Sequence, residues 1–565
     1  MADVEQQIVV YRYGCPSWAD LDDVAMGQLR LAHDLRNRFV EIEREHAAAV
    51  AAAWQEHPNV AAETGRVEEA QELVAHLVAR SKKDRQADRS TVSRHSTATE
   101  LAAARAAARA AKAALKAAKS EALPAVRSVM SAARDDRHAA LKATYSEYVQ
   151  ERGLYWATYN AVRARHDTAV KRVNEQRKQG RPAELRFHRW TGEGTITVQV
   201  QRQADDPVPS PELFASGGGR WRDVAQIAPW IDPDTWAALG CGQRRRAGRG
   251  RLRMRVRGVR HGSAHLDLPV VVHRPMPAGA EIKQIQVTRC RVGTRQRVTV
   301  AVTCRVPAPV RVEAGATVAV RLGWASAGDG WLRIARVAAS GRLDSVPADV
   351  AGLVRVAAGG ASAELHYSAE WRRLLGRDDD IRSIRDRMLD ELRADVVDVL
   401  NTDGHLAGRL EVTAGEVARW RAPARFARLA AAVKAMPAPG PETGDYDPGT
   451  WLAGRLGAWR QRDRHLWDFE ANERDQVVAR RRHCYRVMAD WLCRGARQIV
   501  LHGLDLSEAK RSPEVGEDPE QARRGRAQMQ IAAPGELRAA IEVAARRRGI
   551  DVIYATETQA KEVAV

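Results

Sequence analysis

The spacing of apolar and polar residues changes twice along this chain, and each change marks a boundary. Residues 8–13 (IVVYRY) group β-branched and aromatic side chains and predict a short strand. From residue 18 to about 179 the texture is helical: Ala, Glu, Lys and Arg dominate and glycine is almost absent. At Gly180-Arg181-Pro182 it switches, and residues 185–306 read as β-strands. Within them, 195–201 (TITVQVQ) alternates Ile and Val with Thr and Gln. Residues 285–306 predict a hairpin turning near Gly293, with Val298, Val300, Val302, Cys304 and Val306 on its buried face. From residue 316 the pattern is mixed. Strands are expected at 318–322, 331–337, 498–506 and from 551. Helices are expected at 380–400, 414–436, 451–493 and 534–548. Residues 438–448, rich in Pro, Gly and Asp, read as a linker.

Two segments carry charge in step with their backbone period. In 101–119 (LAAARAAARAAKAALKAAK), Arg105, Arg109, Lys112, Lys116 and Lys119 are spaced 4, 3, 4, 3. On a helix they fall within about 40° of one line, opposite a face that is nearly all Ala. The rail suits either a solvated coiled-coil face or a phosphate backbone. In 249–257, Arg251, Arg253, Arg255 and Arg257 alternate with Leu252, Met254 and Val256. Period two puts the four guanidiniums on one face of a strand, where their mutual repulsion asks for an anionic partner.

Composition gives these segments context. The chain has 565 residues, with 90 Lys and Arg against 71 Asp and Glu, a net charge of +19. The length predicts three or four structural units, and a pI near 10.0 points to a polyanion, most simply nucleic acid. The six cysteines, Cys15, Cys241, Cys290, Cys304, Cys484 and Cys493, form no C-x₂-C pair, which argues against a zinc site or a disulfide framework. Residues 1–7 lack a signal peptide's regions and no apolar run reaches membrane-spanning length, so the chain reads as soluble and cytoplasmic. There is no Walker A loop, no G-x-S-x-G elbow and no H-E-x-x-H. Asp378, Asp379 and Asp380 read as the cap of a helix beginning at Ile381. Asp505 ends a buried strand, a common place for a functional acid, but one acid cannot hold the two metals that phosphodiester hydrolysis typically uses.

Four stretches then converge on a family: 29–41 (LRLAHDLRNRFVE); 154–160 (LYWATYN) with 168–172 (TAVKR); 186–201 (RFHRWTGEGTITVQVQ); and 420–429 (WRAPARFARL) with 467–472 and 480–492. Their order resembles the miniature type V CRISPR effectors and their TnpB relatives, and is most similar to the type V-M subgroup. The resemblance implies a multidomain α+β protein: an N-terminal strand and long α-helical recognition lobe, a β-barrel-like wedge domain, and a RuvC-like α/β domain of RNase H type. It divides the chain into a wedge strand (1–17), a helical recognition domain (18–180), the wedge domain (181–315) and a degenerate RuvC-like domain (316–565). That last domain would carry a helical insertion at about 370–495 and no zinc-binding insert, the chain ending at Val565 before one could occur.

Nuclease members of the family carry an Asp in a G-I-D-L-G-type strand. The matching stretch here is VRLG, with Arg321 in the acid's place. A second acid sits in a strand like V-V-x-E-D-L, where this chain reads VLHGL with His502 in its place. An Arg in the first position would repel Mg²⁺ and attract phosphate. The resemblance therefore implies a nuclease-inactive, RNA-guided DNA binder that silences genes or plasmids by blocking transcription or replication. Its partners would be a CRISPR guide RNA and a double-stranded DNA target with a short adjacent motif. It would work as a monomeric ribonucleoprotein without zinc or catalytic magnesium. The subgroup is also thought to mature its guide RNA, but no residue here points to that. A TnpB-derived guided repressor, a guided nuclease using Asp505 and a general RNA-binding protein remain alternatives. Candidate backbone contacts are Arg251, Arg253, Arg255 and Arg257, with Arg105, Arg109, Lys112 and Lys116. Arg186, His188 and Arg189 are candidates for gripping the guide. Tyr155 and Trp156 are candidates either for stacking on bases or for a helical core.

Overall fold

Ala, Glu, Lys and Arg lose little side-chain freedom in a helix, and the glycine-poor stretch forms α1 (Asp23–Gln55), α2 (Pro58–Gln86) and α3 (Thr91–Tyr145). A π-helical turn (Ser146–Glu151) and α4 (Trp156–Lys178) follow. The computed structural model describes residues 6–86, 91–180, 183–217, 221, 223–309, 312–436, 448–502 and 519–555. They fall into two units, one of Val9–Cys290 with Val298–Arg305, the other chiefly Val306–Val565.

In the first unit, Asp22 caps α1 by accepting from the Ala25 N–H at 2.7 Å. Leu35, Phe39 and Ile42 of α1 pack with Leu141 of α3 and with Leu154 and Tyr159 around the start of α4. Beside this core, Arg137 grips Glu43 with two nitrogens, at 2.9 and 2.5 Å, and His166 Nε2 lies 3.1 Å from the same carboxylate. Burial alone would raise the Glu43 pKa. The hydrogen bonds from His166 and Arg137 outweigh it and hold the group at about 2.

The sheet of this unit comprises β1 (Gln6–Gly14), β2 (Gly194–Gln199), β3 (Ala225–Ala228), β4 (Arg249–Arg257), β5 (Ala264–Val271), β6 (Glu281–Val292) and β7 (Arg295–Pro307). Its order is β2-β6-β7-β1-β5-β4-β3, so the N-terminal strand is central. β6 and β7 turn through Gly293, whose φ of +62° suits a residue without Cβ. Val298, Val300, Val302, Cys304 and Val306 are buried together, as their period-two spacing requires. Residues 183–193 form no strand, so only the second half of the 186–201 segment is extended in the sheet. Between β2 and β4 lie three short helices that a β reading overlooks: α5 (Pro211–Ser216), α6 (Pro233–Ala238) and α7 (Cys241–Ala247). Their signal was local. Ser210-Pro211 and Asp232-Pro233 each set a capping side chain before a proline at the first helical position.

The second unit carries β8 (Ala316–Ser326), β9 (Leu332–Ala339), β10 (Val354–Val356), β11 (Ser362–Tyr367), β12 (Ala496–His502) and β13 (Asp551–Ala555), ordered β10-β11-β9-β8-β12-β13. β12 runs parallel to β8 and to β13, whereas β9 runs antiparallel to β8 and β11. Val318, Val320, Leu322, Ile499 and Leu501 point to one face, buried with Tyr485, Met488, Trp491, Leu537 and Ile541 from two covering helices. The helices of this unit are α8 (Ala369–Thr402), α9 (Gly404–Leu410), α10 (Ala414–Ala418), α11 (Pro423–Ala435), α12 (Pro448–Leu492), α13 (Pro519–Ala532) and α14 (Pro534–Arg547). α8 to α12 share a second core, with Phe426 between Trp420 and Trp459 at centroid distances of 5.3 and 6.1 Å.

Several expectations are corrected here. α8 begins at Ala369, capped by Ser368, which accepts from the Glu370 N–H at 3.2 Å. Asp378, Asp379 and Asp380 therefore lie inside this helix and cap nothing. Asp378 is buried, and burial together with the nearby Glu470 charge pushes its pKa up to about 6. The expected 414–436 helix is two helices, because Pro423 starts a new one. β10, β11 and α13 were not foreseen, and most of the expected linker (437–447) lies outside the described residues.

Two stability measurements follow. Phe426→Ala should cost about 3–5 kcal/mol in denaturant unfolding followed by tryptophan fluorescence. The Glu43 contribution is present above the usual glutamate range and is lost as pH falls toward about 2. Acid titration of the folded protein should therefore lose up to about 3 kcal/mol between pH 5 and 2 from this group, and Glu43→Gln should remove that part of the slope.

Candidate nucleic-acid interface

One basic cleft of the first unit, of about 500 Å³, lies between α1, α4 and the segment leading into β2. Helical spacing builds one wall: Val162, Arg165, Ala169, Arg172 and Gln176 form a single stripe of α4. Arg36 faces it from α1. Recession into the cleft and the Arg165 charge hold the Arg36 pKa below its usual range, and burial lowers Arg165 as well. The cleft's two carboxylates have neighbours of their own. Glu184 Oε1 is 3.5 Å from Arg186 Nε, and Glu193 accepts from Thr191 Oγ1 at 2.8 Å. Two guanidiniums left facing each other in a concave site form a ready receptor for an anion.

The third wall is irregular backbone latched to α1 by side chains. Asn37 Nδ2 donates to the His188 carbonyl at 2.9 Å, and its Oδ1 accepts from the His188 N–H at 2.8 Å. His33 Nε2 donates to the same carbonyl at 2.8 Å. Arg44 lies 4.5 Å from the Phe187 ring centroid and donates to the Leu185 carbonyl at 3.2 Å. The latch places Arg186 and His188 in the cleft lining, while Arg189 is exposed. Burial, then the Arg36 and His33 charges, lower the His188 pKa, so this imidazole is neutral at pH 7.

The arginine strand folds as the alternation predicts. Leu252, Met254 and Val256 are fully buried in β4, and the arginines take the other face. Their charges are not equally available. Arg257 Nε donates to the Gly262 carbonyl at 2.7 Å, Arg255 Nη2 lies 3.9 Å from Asp223, and Arg253 stands opposite Asp267 in the register. Arg251 and Arg253 are exposed. Arg255 and Arg257 thus have partners within the protein, which relieves part of the repulsion on this face. On α3, Arg105, Arg109, Lys112 and Lys116 are all exposed, whereas Lys119 sits 5.6 Å from the Trp54 ring centroid. The packed alanines Ala104, Ala108 and Ala122 lie about 60–100° around the helix from the middle of the rail, rather than opposite it. Tyr155 is buried and its backbone N–H donates to Gln28 at 2.7 Å, so its ring is core and closed to a base. Trp156 beside it is half-buried.

Arg321 and His502 are brought together. β12 pairs with β8 through Leu501 and Val320, and one further step sets His502 beside Arg321 on the opposite face. Arg321 is exposed. The ring nitrogens of His502 are buried and have no hydrogen-bond partner among the described residues. Asp505 lies outside the described residues. Among the described residues no group of three or more His, Cys, Asp or Glu side chains is arranged to hold a metal ion.

No protein-family model matches the chain. A CRISPR-associated DNA-binding protein Cas12m of Gordonia otitidis is 36% identical over 558 residues, 95% of this chain and 89% of that protein. The chain belongs to the Cas12m family. Cas12m of Mycolicibacterium mucogenicum is 34% identical across 94% of this chain and 87% of its own length. Cas12m of Thermanaerosceptrum fracticalcis is 28% identical across 76% of this chain and 66% of its own. Among solved structures, a Cas12f1–sgRNA–target DNA complex aligns over 98% of this chain and 90% of that one, at 8% identity and a TM-score of 0.31, too low to carry an argument.

In this Cas12m-family chain the sequence revealed the rail, the arginine strand and the latch segment, but not Arg36 and Arg165. Their signal was the helical stripe on α4 and the matching Leu29, Ala32, Arg36, Val40 stripe on α1. Combining Arg36→Ala with Arg165→Ala should weaken binding of a labelled RNA about 10-fold. It should also flatten the slope of log affinity against log salt by about 1–2, in fluorescence anisotropy at several salt concentrations.

Proposed function

We propose that the protein is an RNA-guided DNA binder that holds its target without cutting it. The observation that carries the reading is the near full-length identity to relatives named CRISPR-associated DNA-binding proteins. A guide RNA would select the target by base pairing, and the protein would hold phosphate backbones through its basic surfaces. The +19 charge and the Arg36–Arg165 cleft fit that division of labour. No helix among the described residues is long and apolar enough to cross a membrane. We place the work in the bacterial cytoplasm, done by a monomeric ribonucleoprotein on double-stranded DNA.

The non-cleaving part of the reading is supported by the second unit. In the order β11-β9-β8-β12-β13, β9 alone runs against the other four strands, an arrangement that fits a RuvC-like sheet of RNase H type. On the resemblance, two of the metal-binding acids would stand at Arg321 and His502. A guanidinium cannot ligate Mg²⁺, and its charge opposes one. We therefore assign no catalytic magnesium to the Arg321–His502 position. Occupancy of the target would itself obstruct polymerase.

Purified protein should carry a discrete small RNA and bind a matched duplex in a guide-dependent way. With Mg²⁺ present, both strands of that duplex should stay intact on a denaturing gel. Guide-dependent scission would overturn the non-cleaving assignment, and the absence of any discrete RNA would overturn the guided one. Arg251→Ala with Arg253→Ala should weaken all sequences alike, with a shallower salt dependence.

A further inference from the structure

The irregular segment that enters β2 presents an aromatic ring to solvent. Phe187 is 50% exposed. Trp190, three residues on, is half-buried and stands edge-on to the His33 ring, with 5.3 Å between centroids. Phe187 instead meets Arg44, whose guanidinium carbon lies 4.5 Å from the ring centroid. A cation in that position covers one face of a ring and leaves the other. A single exposed Phe is ordinary on a protein surface. What sets this one apart is how firmly the chain beside it is held.

Two residues before the ring, the Leu185 carbonyl accepts from Arg44 at 3.2 Å. One residue after it, Asn37 brackets His188, donating to its carbonyl and accepting from its N–H, and His33 donates to the same carbonyl. Positions 33, 37 and 44 are spaced four and seven apart on α1, so one helix face supplies all these contacts. The ring is therefore exposed but already ordered, and a ligand that lies on it pays little to fix it. Its two neighbours in the chain, Arg186 and His188, line the Arg36–Arg165 cleft. Their Cα atoms are about 3.8 Å from that of residue 187. An aromatic face beside a cationic cleft offers the two contacts that a nucleotide makes, a surface for its base and countercharge for its phosphate.

We propose that Phe187 is a stacking platform for one unpaired base of a nucleic-acid strand whose phosphate lies in the Arg36–Arg165 cleft. The proposal rests on the guided-binding reading for its occupant, which is the guide RNA. An unpaired DNA base offers the same face and is the competing source. Inside a duplex each base has neighbours on both faces, so the platform takes a nucleotide at the end of a paired stretch or outside one. Every base has a π-face, so the stack accepts any of the four. Its work is to fix where the strand sits, not to read its sequence.

The test uses the full-length chain purified free of RNA, with two variants. Phe187→Leu keeps apolar bulk against Arg44 but has no π-face, and Phe187→Trp keeps one. The probes are labelled oligo(rA) and an abasic RNA of the same length, which has the phosphates without the bases. Wild type should bind oligo(rA) about 10-fold more tightly than the abasic strand. Phe187→Leu should lose most of that gap and Phe187→Trp should keep it. The salt slope should be the same in all three, because no charge is removed. No gap in wild type, or a gap that survives Phe187→Leu, would overturn the platform. A second arm needs no variant, and so decides the site even if Phe187→Leu does not fold. In the guide-loaded complex with a matched duplex, 5-iodouridine is placed at successive positions of the guide, or its deoxy form in the DNA strands, and irradiated. A guide position should give an adduct at Phe187 by mass spectrometry. Adducts from DNA alone would overturn the guide assignment, and no adduct from either would overturn the platform. Failure of wild type to bind a matched duplex through its guide would count against the guided reading, and the oligonucleotide arm would still decide the platform.

Discussion

A strand that buries every second side chain has no freedom over where the others go. That constraint shapes both sheets of this protein. In β4, burying Leu252, Met254 and Val256 turns the arginines outward together. In the second unit, seating Val320, Val337 and Leu501 in one core sends Arg321, Arg336 and His502 to the other face, in line. The apolar residues set the register. The register then composes polar and charged surfaces from residues up to 181 positions apart in sequence, Arg321 to His502. The hydrophobic pattern that secures the fold is thus also the device that arranges the cations.

The helices obey a looser rule and handle charge differently. A helix leaves choice about which stripe is buried, and this chain uses that choice to spend its few carboxylates selectively. Glu43 receives both Arg137 and His166 inside the first bundle, and Glu470 receives Arg382 and Arg385 between α8 and α12. With 71 acids for 90 Lys and Arg, such internal commitments leave other cations uncovered. Arg36 and Arg165 are the sharpest case. Their carboxylate neighbours, Glu184 and Glu193, are held by Arg186 and Thr191. The surplus is therefore local.

Sequence legibility followed the range of the interactions involved. The β6–β7 hairpin, the arginine strand and the α1–α4 helices were readable because period and propensity act within a few residues. The α5 and α6 caps were equally local, but their Ser-Pro and Asp-Pro signals were submerged in a strand-rich context. The Asp378–Asp380 cap failed for another reason. A carboxylate run favours a helix N-terminus, but Ser368 after β11 had already started the helix ten residues earlier. The latch of His188 on Asn37 and the pairing of Arg321 with His502 join residues 151 and 181 apart. No local pattern announces them. Only the resemblance had pointed to Arg321 and His502, and it did so one residue at a time, without their common row.

The Arg336–Arg321 register also limits what position 321 could become. An aspartate placed there would stand directly opposite Arg336 and beside His502. Its carboxylate would be drawn into an ion pair with the guanidinium before any cation could reach it. Building a metal site on this row would require neighbouring strands to change in concert. The chemistry open to one residue of the sheet is thus decided by the strands on either side of it.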